Sequence, residues 1–185
     1  QDANSRKEVN SMTTNLSISR KTYAIYLRKS RADIEAEKVE QYDTLARHYS
    51  ILMDLAVKDG YNVTDIYREI VSGDTIKARP EMQKLLKAVK EGRYAGVLVT
   101  EISRLGRGNS TDQGIISETF QESGTKIITP RKVYDTLQDF DQDFFDFELF
   151  MARQEYKYIK RRLVAGRTQT AKSGQYISSR PPYGF

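Results

Sequence analysis

Apolar positions along this chain recur with two different periods, and the change from one to the other marks out its elements. Residues 1 to about 20, "QDANSRKEVNSMTTNLSISR", show neither period, and their Ser, Thr and Asn content reads as a flexible tail. "TYAIYLRKS" is short, apolar and β-prone, and predicts a strand. "TLARHYSILMDLAVKDG" sets Leu45, Tyr49, Leu52 and Ala56 at helical spacing and stops at Gly60, as a helix with a glycine end does. A second strand, "YNVTDIYRE", and a polar loop, "SGDTIKA", lead to the helix "RPEMQKLLKAVKEG". Pro80 suits its first turn, Met82, Leu85, Leu86 and Val89 form its inner face, and Gly92 follows its end. "YAGVLVTEI" is apolar on both sides, the pattern of a buried parallel strand. After "SRLGRGNST" come a helix from about Thr111 to Glu122 and a fourth strand, "TKIIT". Alternating strands and helices predict a doubly wound α/β domain with a mostly parallel sheet.

From about Phe140 the pattern becomes one long helix, with Phe144, Leu149, Met151, Ala152, Ile159 and Leu163 among its apolar positions and Gly174 closing it. At ~1.5 Å per residue it spans roughly 50 Å, more than the domain is wide, so part of it should project. "FDQDFFDFELF" packs five phenylalanines into eleven residues, more than one helix face can bury against its own domain, which favours a subunit contact. The expected organisation is therefore a tail over 1–20, an α/β domain over 21–138, a long helix over 139–174, and over 175–185 the start of a linker to a further domain.

Composition narrows the function classes. The 185 residues are 38% hydrophobic, enough for one core. Having no cysteine and one histidine, the chain excludes disulfides and cysteine zinc sites, and a reducing cytoplasmic setting is the default expectation. No apolar run reaches membrane-spanning length, so neither a membrane span nor a membrane partner is expected. The net charge of +5 is unevenly placed: Arg153 to Lys172 holds seven bases and one acid, leaving the remainder slightly acidic, while Val133 to Ala152 holds six acids and no base. Such a run is either a solvated helix face or an arm that binds a polyanion.

The candidate chemistry gathers at strand ends. Alternation along the first strand puts Tyr26, Arg28 and Ser30 on one side at its C-terminal end, where open α/β sheets hold ligands. Arg104 and Arg107, three apart in "SRLGRG", end the third strand in the same layer; "REIVSGDTIKARP" adds Glu69 near a strand end and Arg79 before a helix. Guanidinium groups cannot take a proton from serine, so four arginines around Ser30 make a poor hydrolytic triad. They make a good phosphate cage, because planar forks contact phosphate oxygens in pairs and stabilise a pentacoordinate transition state.

"YAIYLRKSR", "YREIVSGDTIKARPEMQKLLKAVKEG", "YAGVLVTEISRLGRG", "MARQEYKYIKRRLVAGRTQTAKSG" and "PPYGF", in that order, resemble the serine recombinases of the resolvase/invertase family. The likeness is to the large recombinases that act as phage integrases or transposases, and covers about residues 22 to 185. It implies a catalytic domain whose serine attacks a DNA phosphodiester, leaving a 5′-phosphoserine and a free 3′-hydroxyl, with strand exchange and religation needing no metal or nucleotide cofactor. Tyr26, Arg28 and Ser30 fall on the family's first motif, with Ser30 as nucleophile; Arg79 falls on the arginine after the Ser-Gly loop, Arg104 and Arg107 on the third motif, and Glu155 and Arg162 on charged positions of the long helix. The implied partners are double-stranded DNA attachment sites and further copies of the chain, dimers in solution and tetramers at synapsis. Arg161, Arg162, Arg167 and Lys172 are the expected backbone contacts to DNA.

Three departures qualify the match: Ser103 stands where the family commonly has Asp, Glu69 where Asp is usual, and His48 where Gln is frequent. His48, one turn from Leu45 and Leu52, reads as structural, and no general base is identified. Two other readings remain. A nucleotide-binding α/β protein would need a glycine-rich phosphate loop, and neither G-x-G-x-x-G nor G-x-x-x-x-G-K-[ST] occurs. A catalytically inactive module of the same fold, serving DNA binding or assembly, is suggested by Ser103.

Overall fold

The computed structural model describes residues 22–29, 43–70, 75–106 and 108–174. Ser30 and Arg107 lie outside the described residues, as do the tail and the segment after 174. Five strands, β1 (Thr22–Arg28), β2 (Asn62–Glu69), β3 (Gly96–Leu98), β4 (Lys126–Ile128) and β5 (Val133–Tyr134), form one sheet in the order β2-β1-β3-β4-β5. The first four are parallel, and β5 runs antiparallel to β4.

Alternation along β1 divides the core. Ala24 and Tyr26 face one side of the sheet, Ile25 and Leu27 the other, because successive strand side chains point oppositely. Ile25 and Leu27 pack under helix α1 (Thr44–Asp59) through Leu52 and Ala56. The opposite face carries three helices: α2 (Pro80–Lys90), α4 (Ser110–Ser123) and α5 (Asp139–Lys172). The apolar faces of these helices supply Met82, Leu85, Val89, Ile116, Phe120, Phe145 and Leu149 to the larger core cluster. At Gly96 of β3 a Cβ would sit 2.9 Å from Ile128 Cδ1 and 3.1 Å from the Tyr23 ring, so a larger residue would require those side chains to shift.

Helix ends fall where side chains can satisfy them. Asp43 caps α1 by accepting from Leu45 N at 2.9 Å, and Gly60 ends it in the left-handed region at φ 72°. Asn109 caps α4 by accepting from Asp112 N at 2.7 Å. His48 is half-buried within α1, as its spacing suggested.

Two sequence expectations change. The third strand stops at Leu98, and the end of "YAGVLVTEI" turns instead into a one-turn helix, α3 (Ile102–Leu105). The two-residue β5 is too short to leave a period in the sequence. It is fastened to the start of α5 by Lys132, whose ammonium lies 2.7 Å from Asp141 Oδ1 and 4.5 Å from the Phe144 ring centre.

The 34-residue α5 is supported along only part of its length: its buried side chains, Gln142, Phe145 and Leu149, all lie in its first third. Of the five phenylalanines, Phe145 is core, tilted against Tyr134, whereas Phe140, Phe144, Phe147 and Phe150 are 38% or more exposed. No described helix is long and apolar enough to cross a membrane.

Candidate active site

The end of β1 carries Arg28 into contact with α3. Helix α3 is a single turn whose internal bonds use the carbonyls of Glu101 and Ile102, leaving those of residues 103 to 106 without helical donors. Each is met by a side chain. Arg28 donates from Nη2 to Ser103 O at 2.8 Å and from Nε to Arg104 O at 2.9 Å. Arg79 donates from Nη1 to Leu105 O at 2.7 Å, and Gln113 from Nε2 to Gly106 O at 3.2 Å. Arginines singled out for phosphate chemistry thus also close the carbonyl end of a helix, in charge-assisted bonds stronger than neutral ones.

Arg104 returns the contact: its Nη1 donates to Arg28 O at 3.3 Å, and its Nε lies 2.9 Å from Glu101 Oε1. Three of the four predicted arginines are therefore brought together, and the fourth, Arg107, is outside the described residues. Arg28 and Arg79 are 4% and 2% exposed. Arg79 Nη2 and the Tyr26 hydroxyl are buried without a hydrogen-bond partner among the described residues. Burial pushes the Tyr26 phenol up to about 12, against the opposing pull of Arg79 and Arg28, so it is a neutral donor at physiological pH.

Glu69 has a definite task. Its Oε2 accepts from Glu81 N at 3.0 Å and Met82 N at 3.2 Å, capping α2 from the end of β2, while Arg79, the residue at the cap position, makes no side-chain cap bond. Burial raises the Glu69 carboxyl, opposed by the two amides and by Arg79. The turn before Arg79 is held by Asp112, whose Oδ2 accepts from Ile76 N at 2.9 Å, and by Gln83, which donates to Ile76 O and Lys77 O. Asp112 and Gln113 escaped the sequence reading because they sit in a helix as ordinary polar residues; their signal was only adjacency to "SRLGRG".

Ser103 contributes its backbone carbonyl to Arg28. With Glu101, Arg131, Glu148, Glu155 and Tyr158 it lines a cleft of about 580 Å³ between α3 and α5, so Glu155 and Ser103 face the same opening. Arg161, Arg162, Arg167 and Lys172 are exposed on the far part of α5. Lys157, Lys160 and Arg161 share a face there by i, i+3, i+4 spacing, while Arg162 lies 5.7 Å over the Tyr158 ring.

Residues 23–176 match the family described as "Resolvase, N terminal domain". The chain belongs to the resolvase N-terminal domain family. Among solved structures, the N-terminal catalytic domain of TP901-1 integrase is similar at a TM-score of 0.53 and 21% identity, over 77% of this chain and 98% of that one. A resolvase family site-specific recombinase from Streptococcus pneumoniae is similar at a TM-score of 0.52 and 21% identity, over 82% of this chain and 98% of that one. At this identity the likeness concerns the fold, a resolvase-type parallel sheet followed by a long helix.

Proposed function

We propose that this resolvase-family domain is the catalytic part of a site-specific DNA recombinase, of the large integrase or transposase type, working through a 5′-phosphoserine intermediate. The observation that carries the proposal is the convergence of Arg28, Arg79 and Arg104 at the end of β1, two positions before Ser30. Burying two guanidinium groups costs several kcal/mol each unless an anion or acceptors repay it. The carbonyls of α3 repay part, and a DNA phosphate is the natural counterpart for Arg79 Nη2.

In the proposed reaction Ser30 Oγ attacks phosphorus in line, the Oγ–P bond forms, and the P–O3′ bond breaks. The serine proton is lost and the departing 3′ oxygen gains one, with no oxidation or reduction. Attack by a 3′-hydroxyl of the partner strand reverses the step and rejoins the DNA. Arg28, Arg79, Arg104 and Arg107 hold the phosphate and its developing charge, which is most of what phosphoryl transfer asks of a protein. Tyr26 stands near Arg79 and Arg28 as a neutral phenol, and Glu69 places Arg79 by capping α2. Arg161, Arg162, Arg167 and Lys172 run along the DNA backbone, and the exposed phenylalanines of α5 meet another subunit.

The test is covalent capture. Full-length protein is incubated with duplexes spanning candidate junctions, and trapped adducts are mapped by peptide sequencing. A phosphoserine at Ser30, absent from Ser30→Ala while DNA binding persists, is the expected result. A phosphoserine at another residue overturns the assignment, and binding without any adduct favours an inactive DNA-binding module.

A further inference from the structure

Gln113 occupies the first turn of α4, 7% exposed, and its amide nitrogen donates to two carbonyls at once: Gly106 O, at the end of the capped row, and Leu149 O, within α5. Only the NH₂ side of the amide can face two carbonyl oxygens, so its orientation is fixed. Leu149 O is an interior carbonyl of a helix and needs no second donor for its own sake. Gly106 is packed against Ile116 and Leu149: a Cβ there would sit 2.9 Å from Ile116 Cδ1 and 3.6 Å from Leu149 Cδ2. One amide thus bridges α5 to the peptide row on which Arg28 and Arg79 rest. Around buried Leu149, the neighbours Phe147, Phe150 and Met151 are exposed on the face proposed to meet another subunit.

We propose that Gln113 is a positioning residue: it transmits the seating of α5 against a second subunit to the carbonyls of residues 103 to 106, and so sets the register of the phosphate-holding arginines. A shift of α5 at Leu149 pulls on Gly106 through this amide, and Gly106 is two residues from Arg104. The inference rests on the recombinase reading above.

The test uses full-length protein on a duplex with which the wild type gives the covalent adduct, with DNA binding, synapsis and single-turnover cleavage measured separately. Gln113→Leu keeps the volume and loses both donors; binding and synapsis should persist while the cleavage rate falls by about one to two orders of magnitude, the scale of a small misplacement of catalytic groups. Gln113→Glu regains one donor when protonated, so its cleavage relative to wild type should recover as pH falls, whereas that of Gln113→Leu stays flat. Leu52→Ala, in the core on the opposite face of the sheet, controls for stability and should cleave at the wild-type rate wherever it is folded. Wild-type cleavage by Gln113→Leu, or an equal loss in Leu52→Ala at matched thermal stability, overturns the inference alone. Failure of the wild type to form an adduct on DNA it binds overturns the recombinase reading and this inference with it.

Discussion

Arg28 and Arg104 hold each other by the backbone: each guanidinium donates to the other's main-chain carbonyl, at 2.9 Å and 3.3 Å. A cation at either position would be enough for charge, yet only a planar fork makes two such bonds at fixed angles. Arg28→Lys should therefore lose stability as well as activity. With one buried carbonyl of α3 left unmet, the cost is about 1–3 kcal/mol by denaturant unfolding. Arg104→Lys, which gives up a carbonyl bond of 3.3 Å where Arg28 gives up bonds of 2.8 and 2.9 Å, should lose less stability but much of the cleavage rate. Equal stability of Arg28→Lys and wild type would mean that the carbonyl row does not support the fold.

Glu69 separates capping from charge. Glu69→Ala removes the acceptor for Glu81 N and Met82 N and should cost about 0.5–2 kcal/mol, whereas Glu69→Gln retains an acceptor oxygen. Since burial raises this carboxyl above its ordinary 4.5, the folded protein keeps the proton to higher pH than the unfolded chain. Its contribution is then fully present below the unfolded value and declines as pH rises through the folded one. The stability of wild type minus that of Glu69→Gln should fall with pH across that window and be flat above it; a rising difference contradicts the assignment.

Salt dependence tests the basic end of α5. Each true phosphate contact among Arg161, Arg162, Arg167 and Lys172 should lower the slope of log K against log salt by about 0.9 when neutralised. A slope unchanged by replacing all four would leave the run as a solvated helix face.

Phe147, 56% exposed, tests assembly more cleanly than Phe144, which also stacks on Tyr134. Phe147→Glu should leave the thermal midpoint of the isolated domain nearly unchanged and shift its sedimentation toward monomer. A wild-type domain that is monomeric at high concentration, together with full recombination by Phe147→Glu, would refute the subunit contact.

The legible parts were those with a period or a punctuating residue. Leu52 and Ala56 marked α1 and Gly60 its end; Pro80 marked the start of α2 and Met82, Leu85 and Val89 its face; the alternation of Tyr26 and Arg28 gave their shared side. The third strand was overread because Val99, Thr100 and Ile102 favour strands one at a time, while their neighbours turn the chain into α3. The arginine cluster was legible as a set, but its dependence on main-chain carbonyls was not. A carbonyl carries no sequence identity, so the pairings of Arg28 with residues 103 and 104, and of Gln113 with Gly106 and Leu149, exist only once the chain is folded.

The unequal support of α5 has a consequence in time. From Lys157 to Ser173 nearly every side chain is exposed, and Thr168 and Thr170 turn their hydroxyls back to Val164 O and Gly166 O, bonds that slightly weaken a helix. A helix without packing is marginal in water, so amide exchange should quicken progressively from Leu149 toward Lys172, with local opening far cheaper than global unfolding. The basic arm would then draw much of its persistence from whatever it lies against, and part of the free energy of that encounter would go into holding the arm straight.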